Sequence, residues 1–458
     1  MTYQDAVAYL GGFTNFERTH DVAAMRQVPL DRMRRLCRRM GDPQRSFRSV
    51  VITGTNGKGS VAMMLYSMLR ESDLRIGLYT SPHVDSPRER IRTWDGARGG
   101  DDRAPGNDWI SESEFASLTE ELQPALEAMR NEGPDQTPTY FEIMTALAFL
   151  HFRRLGVAVA ALEVGLGGRL DATNVVDQAV SVITPIDLDH AEILGSEPVF
   201  IAREKAGIIK ANQTVITAAQ QEAVLEVLRG ACAAHEVPLR VCGPDFGAEV
   251  QRHDAGGLQL SIKARGFYPS VELPLMGRHQ AQNAALAVAA LEALSPEGLP
   301  RAMVERGLAR VECPGRIEVL SDAPLIVLDG GHNPHAAGAL AAVLDELWRD
   351  RRIHLVVGMS ADKSVEGFGE ALGRLAISAT CTRSRHARAM DPVALAKRLA
   401  PYCADVHVMS ESADACTYLL NALSPSDVIV VAGSFFLVGE LRASLRKSLG
   451  GRPQPAAA

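Results

Sequence analysis

The chain lacks paired cysteines. Its seven cysteines are scattered over 458 residues, and no CxxC motif places two of them close together. A disulfide framework or a cysteine-based metal site would need such spacing. An odd and dispersed set is typical of reduced thiols, so we expect a cytoplasmic protein.

The chain also lacks long apolar runs and an excess of positive charge. No run of 18 apolar residues occurs, and the residues after Met1 form neither the basic nor the apolar region of a signal peptide. Lys and Arg number 48 against 55 Asp and Glu, which leaves a net charge of −7. We therefore expect no membrane span, no secretory leader, and neither nucleic acid nor an anionic membrane as a partner.

What the chain does have is an alternation of short apolar segments with amphipathic helices. Its length suggests two or three domains. From Val50 onward the alternation predicts a mostly parallel α/β sheet, and it restarts near Pro314 as a second α/β unit. The candidate strands are SVVIT, RIGLYT, VAVAALEV, AVSVIT and QTVITA in the first unit, and PLIVLD, RIHLVVGM, AISATCT, DVHVM and DVIVVAGS in the second.

Three segments stand outside this alternation. The arginine-rich run at residues 32–44 predicts a solvated helix face, and residues 93–108 have no periodicity and predict an exposed loop. An alternating pattern around Asp-Ala-Gly-Gly in residues 249–264 predicts an antiparallel hairpin added to the first sheet.

The stretch SVVITGTNGKGSVAMMLYSML (residues 49–69) combines an apolar strand, a glycine-rich turn, a lysine and an apolar-faced helix. Such a turn presents backbone N–H groups and a helix N-terminus to a phosphate. Gly54, Gly57 and Gly59 permit the tight turn. Lys58 would neutralise the β- and γ-phosphates, and Ser60 would offer its hydroxyl to a metal. The spacing differs from GxxxxGK[ST], so from these residues alone a glycine-rich turn with a surface lysine stays open.

Polar side chains follow further strands. The segment TSPH (residues 80–83) comes after one strand, and Glu163 ends another that is apolar enough to be buried on both faces. Asp187, Asp189 and His190 follow a third. Parallel-sheet enzymes bind ligands at such strand ends, where a carboxylate commonly holds Mg²⁺. Each residue taken alone also fits a helix cap or a satisfied polar group.

Together with later motifs, these residues resemble the folylpolyglutamate synthase/dihydrofolate synthase family of the Mur ligase superfamily, whose phosphate loop has this short form. The resemblance runs from about Tyr3 to Glu440. The motifs occur in the family's order: GTNGKGS, TSPH…ERIR, TYFE…TALAF, EVGLGGRLDATN, DLDHAEILG, EKAGIIK, GRHQAQNAALA, PGR, DGGHNP and GSFFLVGE.

The resemblance implies a fold and an activity. The fold would be α/β, with a P-loop-containing, mostly parallel-sheet ATPase domain over residues 1–314, a Rossmann-like glutamate-ligase domain over residues 315–450, and a disordered tail over residues 451–458. The family uses ATP to join L-glutamate to dihydropteroate or to reduced folates through an acyl phosphate, at a site between the two domains. These small molecules are the implied partners. The sequence does not indicate an oligomeric state, and a monomer is the default expectation. Whether the chain adds the first glutamate, extends glutamate tails or does both stays open, and the bifunctional type is favoured.

The resemblance also implies roles for individual residues. The catalytic residues would be Lys58, Lys205 and His332, with Lys205 carbamylated. The ATP site would comprise Gly57, Lys58, Gly59, Ser60, Asn283, Arg316 and Asp329, and two Mg²⁺ ions would be bound by Ser81, Glu163 and His190. The pterin-bearing substrate would contact Thr139, Tyr140, Phe141, Glu142, Leu170, Asp171 and Ala172. Weaker matches are NFER (residues 15–18) on the pterin side, and DKS (residues 362–364) and SRHARA (residues 384–389) on the glutamate side.

Two departures and three alternatives accompany the resemblance. Pro87-Arg88 stands where the family has an aromatic–Asn pair, and Gly331 stands where DGAHNP has alanine. A Mur-type ligase for another carboxylate would lack EVGLGGRLDATN and TYFE. A catalytically silent nucleotide-binding protein would have lost at least one of Lys58, Glu163, His190 and Lys205. A P-loop kinase or GTPase would have a different loop spacing.

Overall fold

A computed structural model of the chain describes residues 1–19, 29–98, 106–189, 191–195, 197–422 and 424–449. The described chain separates into two compact units. The first contains Met1–Glu249, Leu260–Glu272 and Ala281–Val311, and the second contains Val250–Gln259, Leu273–Gln280 and the described residues from Glu312 onward.

The first unit is built on a seven-stranded sheet with the strand order β3-β2-β4-β1-β5-β6-β7. All neighbouring strands run parallel except β3, which is antiparallel to β2. The strands are β1 (Arg48–Thr53), β2 (Arg75–Tyr79), β3 (Ile91–Asp95), β4 (Val159–Glu163), β5 (Val180–Ile183), β6 (Thr214–Thr217) and β7 (Leu239–Val241). The predicted strands and their mostly parallel arrangement are confirmed, and the edge strands β3 and β7 were not predicted.

Helices connect these strands. They are α1 (Tyr3–Gly11), α2 (Phe16–Thr19), α3 (Leu30–Arg39), α4 (Lys58–Leu69), α5 (Glu112–Asn131), α6 (Tyr140–Leu155), α7 (Ala191–Leu194), α8 (Pro198–Ala206), α9 (Glu222–Ala234), α10 (His279–Leu294) and α11 (Arg301–Ala309). One large core lies between β2, β4 and helices α1, α3, α5 and α6, where Phe115, Phe149 and Phe152 are fully buried. This packing places the carboxyl ends of β1, β2 and β4 side by side.

The arginine-rich run forms α3, but the predicted solvated face describes only part of it. Arg34, Arg38 and Arg39 are exposed. Arg32 is buried instead, because its guanidinium pairs with the buried carboxylate of Glu142. A buried guanidinium needs such a partner, and the charges near Arg32 in the sequence do not predict that Glu142 is this partner.

The predicted hairpin forms, but its predicted addition to the first sheet is wrong. Strand β9 (Gly257–Lys263) pairs with β8 (Gly247–Asp254) on one side and with β10 (Phe267–Leu273) on the other, in a three-stranded sheet of their own with the order β10-β9-β8. The added partner β10 was not recognised in the sequence, and it completes a separate sheet.

The prediction of one exposed loop over residues 93–108 is also wrong in part. Thr93 and Asp95 belong to β3. Asp108 is buried and lies near the guanidinium groups of Arg70 and Arg92, at 3.6 and 3.9 Å. Residues 99–105 lie outside the described residues. The charges of this segment suggested solvent, whereas Asp108 is buried against two arginines that lie outside the segment.

The second unit has a six-stranded sheet with the order β11-β12-β16-β13-β14-β15, parallel except for β11. Its strands are β11 (Glu318–Asp322), β12 (Leu325–Asp329), β13 (Ile353–Val357), β14 (Ala376–Arg383), β15 (Val406–Glu411) and β16 (Val428–Ala432). Its helices are α12 (Pro334–Trp348), α13 (Val365–Leu372), α14 (Pro392–Leu399), α15 (Ser412–Ala422) and α16 (Phe435–Ser448). The five predicted strands, each followed by a helix, are confirmed, and β11 is an addition.

The structure also bears on the cysteines and on helices that could span a membrane. All seven cysteines are free and buried, so the predicted unpaired thiols are confirmed. No helix among the described residues is long and apolar enough to cross a membrane. The predicted tail at residues 451–458 lies outside the described residues.

Candidate active site

The glycine-rich loop joins β1 to α4 in the first unit. β1 ends at Thr53 and α4 begins at Lys58, so the predicted strand–loop–helix is confirmed. Gly57 has a φ of +89°, a conformation that side-chain-bearing residues rarely adopt. A Cβ there would also stand 2.5 Å from Asn283 Oδ1, so the Asn283 side chain lies directly against the loop. The predicted nucleotide residues Gly57 and Asn283 are therefore neighbours.

Lys58 folds back over the loop that precedes it. Its Nζ donates hydrogen bonds to the carbonyl oxygens of Gly54 and Thr55, at 2.9 and 3.0 Å. Ser60 is buried in the first turn of the helix. The loop therefore combines a fixed ammonium group with the N-terminus of a twelve-residue helix, and both attract an anion.

Lys205 approaches the same loop from α8. Its side chain is buried, and its Nζ donates a 2.7 Å hydrogen bond to the carbonyl oxygen of Gly54. Burial, and next the nearby Lys58 ammonium, lower the pKa of Lys205 well below its ordinary value, while Asp189 and Asp171 oppose the shift. The structure thus brings two predicted catalytic lysines to one backbone carbonyl and favours the neutral amine at Lys205.

Glu163 ends β4 beside the loop. Its Oε2 accepts a hydrogen bond from the Ser81 backbone N–H at 3.0 Å, and its Oε1 lies 3.3 Å from where a Cβ on Gly59 would stand. The predicted metal ligands Ser81 and Glu163 therefore lie together, next to Gly59. His190 lies outside the described residues. Within the described ranges, no group of three His, Cys, Asp or Glu side chains is placed to hold a metal ion.

The TYFE segment (residues 139–142) lies at the start of α6, and its polar and aromatic side chains make different contacts. Thr139 and Glu142 form a capping box, and Glu142 also accepts hydrogen bonds from the Arg32 guanidinium at 2.6 to 3.0 Å. These two side chains are thus engaged within the fold. Tyr140 lies under the Arg90 guanidinium, 5.6 Å from its ring centroid, and Phe141 packs against Gly165, where a Cβ would stand 2.7 Å from the ring.

Asp171 organises the segment that follows Glu163. Its Oδ2 accepts hydrogen bonds from the Gly165 and Leu166 N–H groups at 3.0 and 3.1 Å. Its Oδ1 accepts from the N–H and the hydroxyl of Thr173 at 2.9 and 2.6 Å. Burial raises the pKa of Asp171, against the effect of these hydrogen bonds. Leu170 is half-buried and Ala172 is buried on either side of it.

The remaining predicted residues belong to the second unit. Asp329 ends β12, and its carboxylate accepts hydrogen bonds from the Ile317 and Gly331 N–H groups at 3.0 and 2.7 Å. A Cβ at Gly331 would stand 2.5 Å from Asp329 Oδ1, so the glycine found in place of alanine suits this carboxylate position. The Arg316 guanidinium lies 4.2 Å from the Phe435 ring centroid. The His332 Nδ1 lies 3.1 Å from the Gly330 carbonyl oxygen.

Comparison with known proteins gives the family. The Mur ligase middle domain model matches residues 113–291, and the Mur ligase glutamate ligase domain model matches residues 315–435. The dihydrofolate synthase/folylpolyglutamate synthase of Bacillus subtilis is 32% identical, over 97% of this chain and 99% of the relative. The chain belongs to the dihydrofolate synthase/folylpolyglutamate synthase family.

Two further comparisons place this family member among its relatives. A Haloferax volcanii protein named as a probable bifunctional folylpolyglutamate synthase/dihydropteroate synthase is 34% identical over 98% of this chain. The chain spans about half of that relative, 51% of its length. The structure of E. coli FolC in complex with DHPP and ADP matches with a TM-score of 0.83 at 29% identity, covering 98% of this chain and 99% of FolC.

Membership of the dihydrofolate synthase/folylpolyglutamate synthase family decides between the alternatives. The enzyme is a ligase of the ATP-dependent Mur type, and its relatives are named for folate substrates rather than for another carboxylate. Lys58, Lys205 and Glu163 all stand at the loop, which argues against a catalytically silent nucleotide-binding protein.

One buried network in this family member was not foreseen from the sequence. Arg90 is fully buried and donates to both carboxylate oxygens of Glu17, at 2.8 and 2.6 Å, and to His83 Nδ1 at 2.9 Å. Burial, and next Arg90, lower the pKa of His83 to about 3, so the ring is neutral at pH 7. The signal was present only as separate fragments, NFER, TSPH and ERIR, whose side chains meet in the fold beside Tyr140.

Proposed function

We propose that this ligase joins the amino group of L-glutamate to the carboxylate of dihydropteroate, of reduced folates, or of both. The observation that carries the proposal is the convergence of Lys58, Lys205 and Glu163 on the glycine-rich loop. The similarity to E. coli FolC in complex with DHPP and ADP supports a nucleotide and a DHPP-like ligand as the two substrate classes.

The proposed reaction has two steps. A carboxylate oxygen of the acceptor attacks the γ-phosphorus of ATP, the bond to the bridging oxygen breaks, and ADP leaves an acyl phosphate behind. The glutamate nitrogen, after losing a proton, attacks the acyl carbon, and phosphate leaves as the amide forms. Both steps bring anions together, so fixed positive charge where they meet lowers the barrier.

The glycine-rich loop would hold the nucleotide phosphates. Backbone N–H groups at the start of α4 would bind them, and the Lys58 ammonium would exchange its two carbonyl partners for phosphate oxygens. We assign ATP binding to Gly57, Lys58, Gly59, Ser60, Asn283, Arg316 and Asp329, and we place His332 near the transferred phosphate.

Mg²⁺ fits the oxygen donors beside the loop. Glu163 offers a buried carboxylate. Ser81 donates its backbone N–H to that carboxylate, and its hydroxyl would supply a second oxygen ligand. His190 completes the proposed ligand set. Two bound Mg²⁺ ions would neutralise phosphate charge.

We propose that Lys205 is carbamylated. Carbamate formation joins the amine nitrogen to the carbon of CO₂ and releases a proton, so it needs the neutral amine that burial favours. The product would carry a negative charge where the free lysine carries none, which suits a site that gathers Mg²⁺. Lys205 would in this way serve the metals rather than the phosphates.

The pterin-bearing substrate would lie on the side of the loop formed by α6 and the segment after Glu163. Tyr140 and Phe141 offer aromatic surface, while Thr139, Glu142 and Asp171 hold that surface in place through their hydrogen bonds. Leu170 and Ala172 supply further apolar contact. Thr139, Glu142 and Asp171 would thus contribute to the substrate site chiefly by positioning it.

The domain organisation and setting complete the proposal. Residues 1–314 would form the ATP-binding domain, residues 315–450 the glutamate-ligase domain, and residues 451–458 a disordered tail. We propose a monomer that acts in the cytoplasm, where its free thiols stay reduced.

Phosphate release from ATP in the presence of L-glutamate tests the function. Dihydropteroate, tetrahydrofolate and no acceptor are compared side by side. Turnover with both acceptors would establish the bifunctional ligase, and turnover with one would restrict it to that acceptor. No turnover with either, from protein shown to bind ATP, would overturn the folate assignment.

A further inference from the structure

The backbone on either side of Arg316 is held firmly within the second unit. Gly315 and Ile317, the residues that flank it, both have a positive φ, of +68° and +48°. The Gly315 carbonyl oxygen accepts a hydrogen bond from the Gly330 N–H at 2.8 Å. On the other side, the Ile317 N–H donates to the Asp329 carboxylate at 3.0 Å. These contacts fix the point from which the Arg316 side chain starts.

The guanidinium at the end of that side chain is held in a different way. The Arg316 side chain is half-buried, yet its guanidinium makes no hydrogen bond and no ion pair with any described residue. It lies over the ring of Phe435, with its Cζ 4.2 Å from the ring centroid. The ring attracts the cation through its π-face and leaves the N–H donors, which lie in the guanidinium plane, available to an anion.

The sheet of the second unit brings Phe435 to this position. Phe435 is the first residue of α16, which begins directly after β16, and β16 pairs in parallel with β12. The loop that follows β12 and the start of α16 therefore meet at the carboxyl ends of neighbouring strands. A hydrogen bond joins them, in which the Gly433 N–H donates to the Gly331 carbonyl oxygen at 3.2 Å.

Gly330 makes room for the Phe435 ring. A Cβ at Gly330 would stand 2.5 to 2.6 Å from three atoms of the ring, so a side chain there would displace it. Gly330 does not have a positive φ, and the ring rather than the backbone conformation therefore requires glycine here. This contact joins two motifs that lie about 100 residues apart, because the first glycine of GGHNP accommodates the first phenylalanine of GSFF.

We propose that Phe435 is a positioning residue for nucleotide binding, because its ring holds the Arg316 guanidinium ready to meet the phosphates. The inference rests on the proposed function in one respect, the assignment of Arg316 to the ATP site. An arginine side chain loses conformational freedom when a ligand fixes its guanidinium. A ring that already restricts the guanidinium reduces this loss, so the nucleotide binds more tightly.

Calorimetric binding of AMPPCP, an ATP analogue, tests the proposal on the full chain without turnover. We expect Phe435→Leu to weaken binding about 3- to 30-fold, through loss of the cation–π contact, and Phe435→Tyr, which keeps a ring, to stay within about twofold of the wild type. Gly330→Ala should weaken binding as Phe435→Leu does, because its methyl group displaces the ring. The alanine variant tests the same contact should the leucine variant fail to fold.

A double-mutant cycle separates positioning from packing. If the ring acts through Arg316, then Arg316→Ala weakens AMPPCP binding by itself, and adding Phe435→Leu changes it by less than about twofold. A ring with a purely structural role would weaken binding by the same factor in both backgrounds.

Tyr402→Leu is the matched control for the loss of a ring. Tyr402 is half-buried like Phe435, and its ring also packs against a glycine, since a Cβ at Gly369 would stand 2.6 Å from it. It precedes β15, at the amino-terminal edge of the parallel strands, whereas Phe435 lies at their carboxyl-terminal edge. AMPPCP binding should stay within about twofold in Tyr402→Leu, and melting temperatures would verify that each variant folds.

Other outcomes would overturn the proposal. Binding like the wild type in Phe435→Leu or in Arg316→Ala would contradict it, and so would equal effects of Phe435→Leu with and without Arg316. Because these measurements need no catalysis, coupling of the two residues in a protein that fails to ligate glutamate would reject the proposed function and keep the role of Phe435. Ligation by a protein whose Phe435→Leu variant binds AMPPCP like the wild type would do the reverse.

Discussion

Lys58 and Lys205 share one acceptor, the carbonyl oxygen of Gly54, at 2.9 and 2.7 Å. Lys205 is buried, and next the Lys58 ammonium at the same carbonyl repels a second positive charge, so the pKa of Lys205 is lowered and a neutral amine is favoured there. The same carbonyl belongs to the loop that would bind phosphates. The Gly54 carbonyl oxygen thus contacts both Lys58, which we propose to bind phosphate, and Lys205, which we propose to be carbamylated.

Replacement of Lys205 by methionine should change stability in a pH-dependent way. The pKa of Lys205 is lowered on folding, so between the folded and unfolded values the unfolded chain binds more protons, and stability rises with pH. Methionine has no titratable proton, so this contribution of Lys205 to the pH dependence of stability is lost in the variant. In CO₂-free buffer, Lys205→Met should therefore be more stable than the wild type at pH 7, and the difference should shrink towards pH 10, measured by urea unfolding.

The exposed Lys263 offers a matched control for that experiment. Lys263→Met should unfold like the wild type at both pH values, because its ammonium is hydrated in both states. A stability gain for Lys205→Met that is the same at pH 7 and pH 10 would contradict a lowered pKa at Lys205.

Replacement of Lys58 by alanine should abolish ATP-dependent ligation and leave the fold intact. The Lys58 side chain is half-buried and its Nζ donates to two loop carbonyls, so we expect its loss to change stability little, while the transferred phosphate loses its fixed cation. Phosphate release should fall by at least 100-fold, with circular dichroism unchanged. Lys263→Ala serves as the control, and turnover like the wild type in Lys58→Ala would remove the lysine from the mechanism.

The Arg32–Glu142 pair should be far more costly to break than its neighbour Arg35–Glu132. Both Arg32 and Glu142 are buried, so Arg32→Ala would leave an uncompensated carboxylate and should destabilise the protein by about 3 to 5 kcal/mol. Arg35 is half-exposed, and Arg35→Ala should cost about 0 to 1 kcal/mol. Chemical denaturation measures both.

A double variant separates charge from packing at this pair. In Arg32→Met/Glu142→Gln no charge remains, and the amide oxygen still accepts from Thr139, so the double variant should be more stable than Arg32→Ala alone. If the double variant proved less stable than Arg32→Ala, the lost packing of the guanidinium, and not the stranded carboxylate, would account for the effect.

The central strands of both sheets and the strand–loop–helix around the glycine-rich turn were predictable from the sequence. Buried parallel strands give continuous apolar runs such as VVI in β1 and VAAL in β4, and their spacing by helices restricts the topology. The edge strands β3, β7 and β11 escaped prediction because half-exposed strands carry mixed residues. Pairing, not composition, makes them strands.

The side-chain partners at the candidate site were much less predictable. The sequence places Glu163 at a strand end, but it does not show that Ser81 N–H binds its carboxylate or that a buried Arg90 pairs with Glu17. Such contacts join residues that lie far apart along the chain. Charged residues in a single sequence are expected at the surface, so a buried ion pair is found only when the fold brings its partners together.

Two variants at Asp171 test whether this residue supports the pterin-bearing substrate alone or the whole loop region. Asp171→Ala removes the acceptor of four hydrogen bonds and should lower the free energy of unfolding by about 2 kcal/mol or more, because the buried N–H and hydroxyl of Thr173 would be left unpaired. Asp171→Asn keeps an oxygen for Thr173 and should lose less stability.

If this segment holds the pterin-bearing substrate, the KM for dihydropteroate should rise in both variants while the Kd for ADP stays close to that of the wild type. Equal losses in the two ligands would show that Asp171 supports the whole loop region, since Glu163 and Gly165 would then shift together and disturb the phosphate side as much as the pterin side.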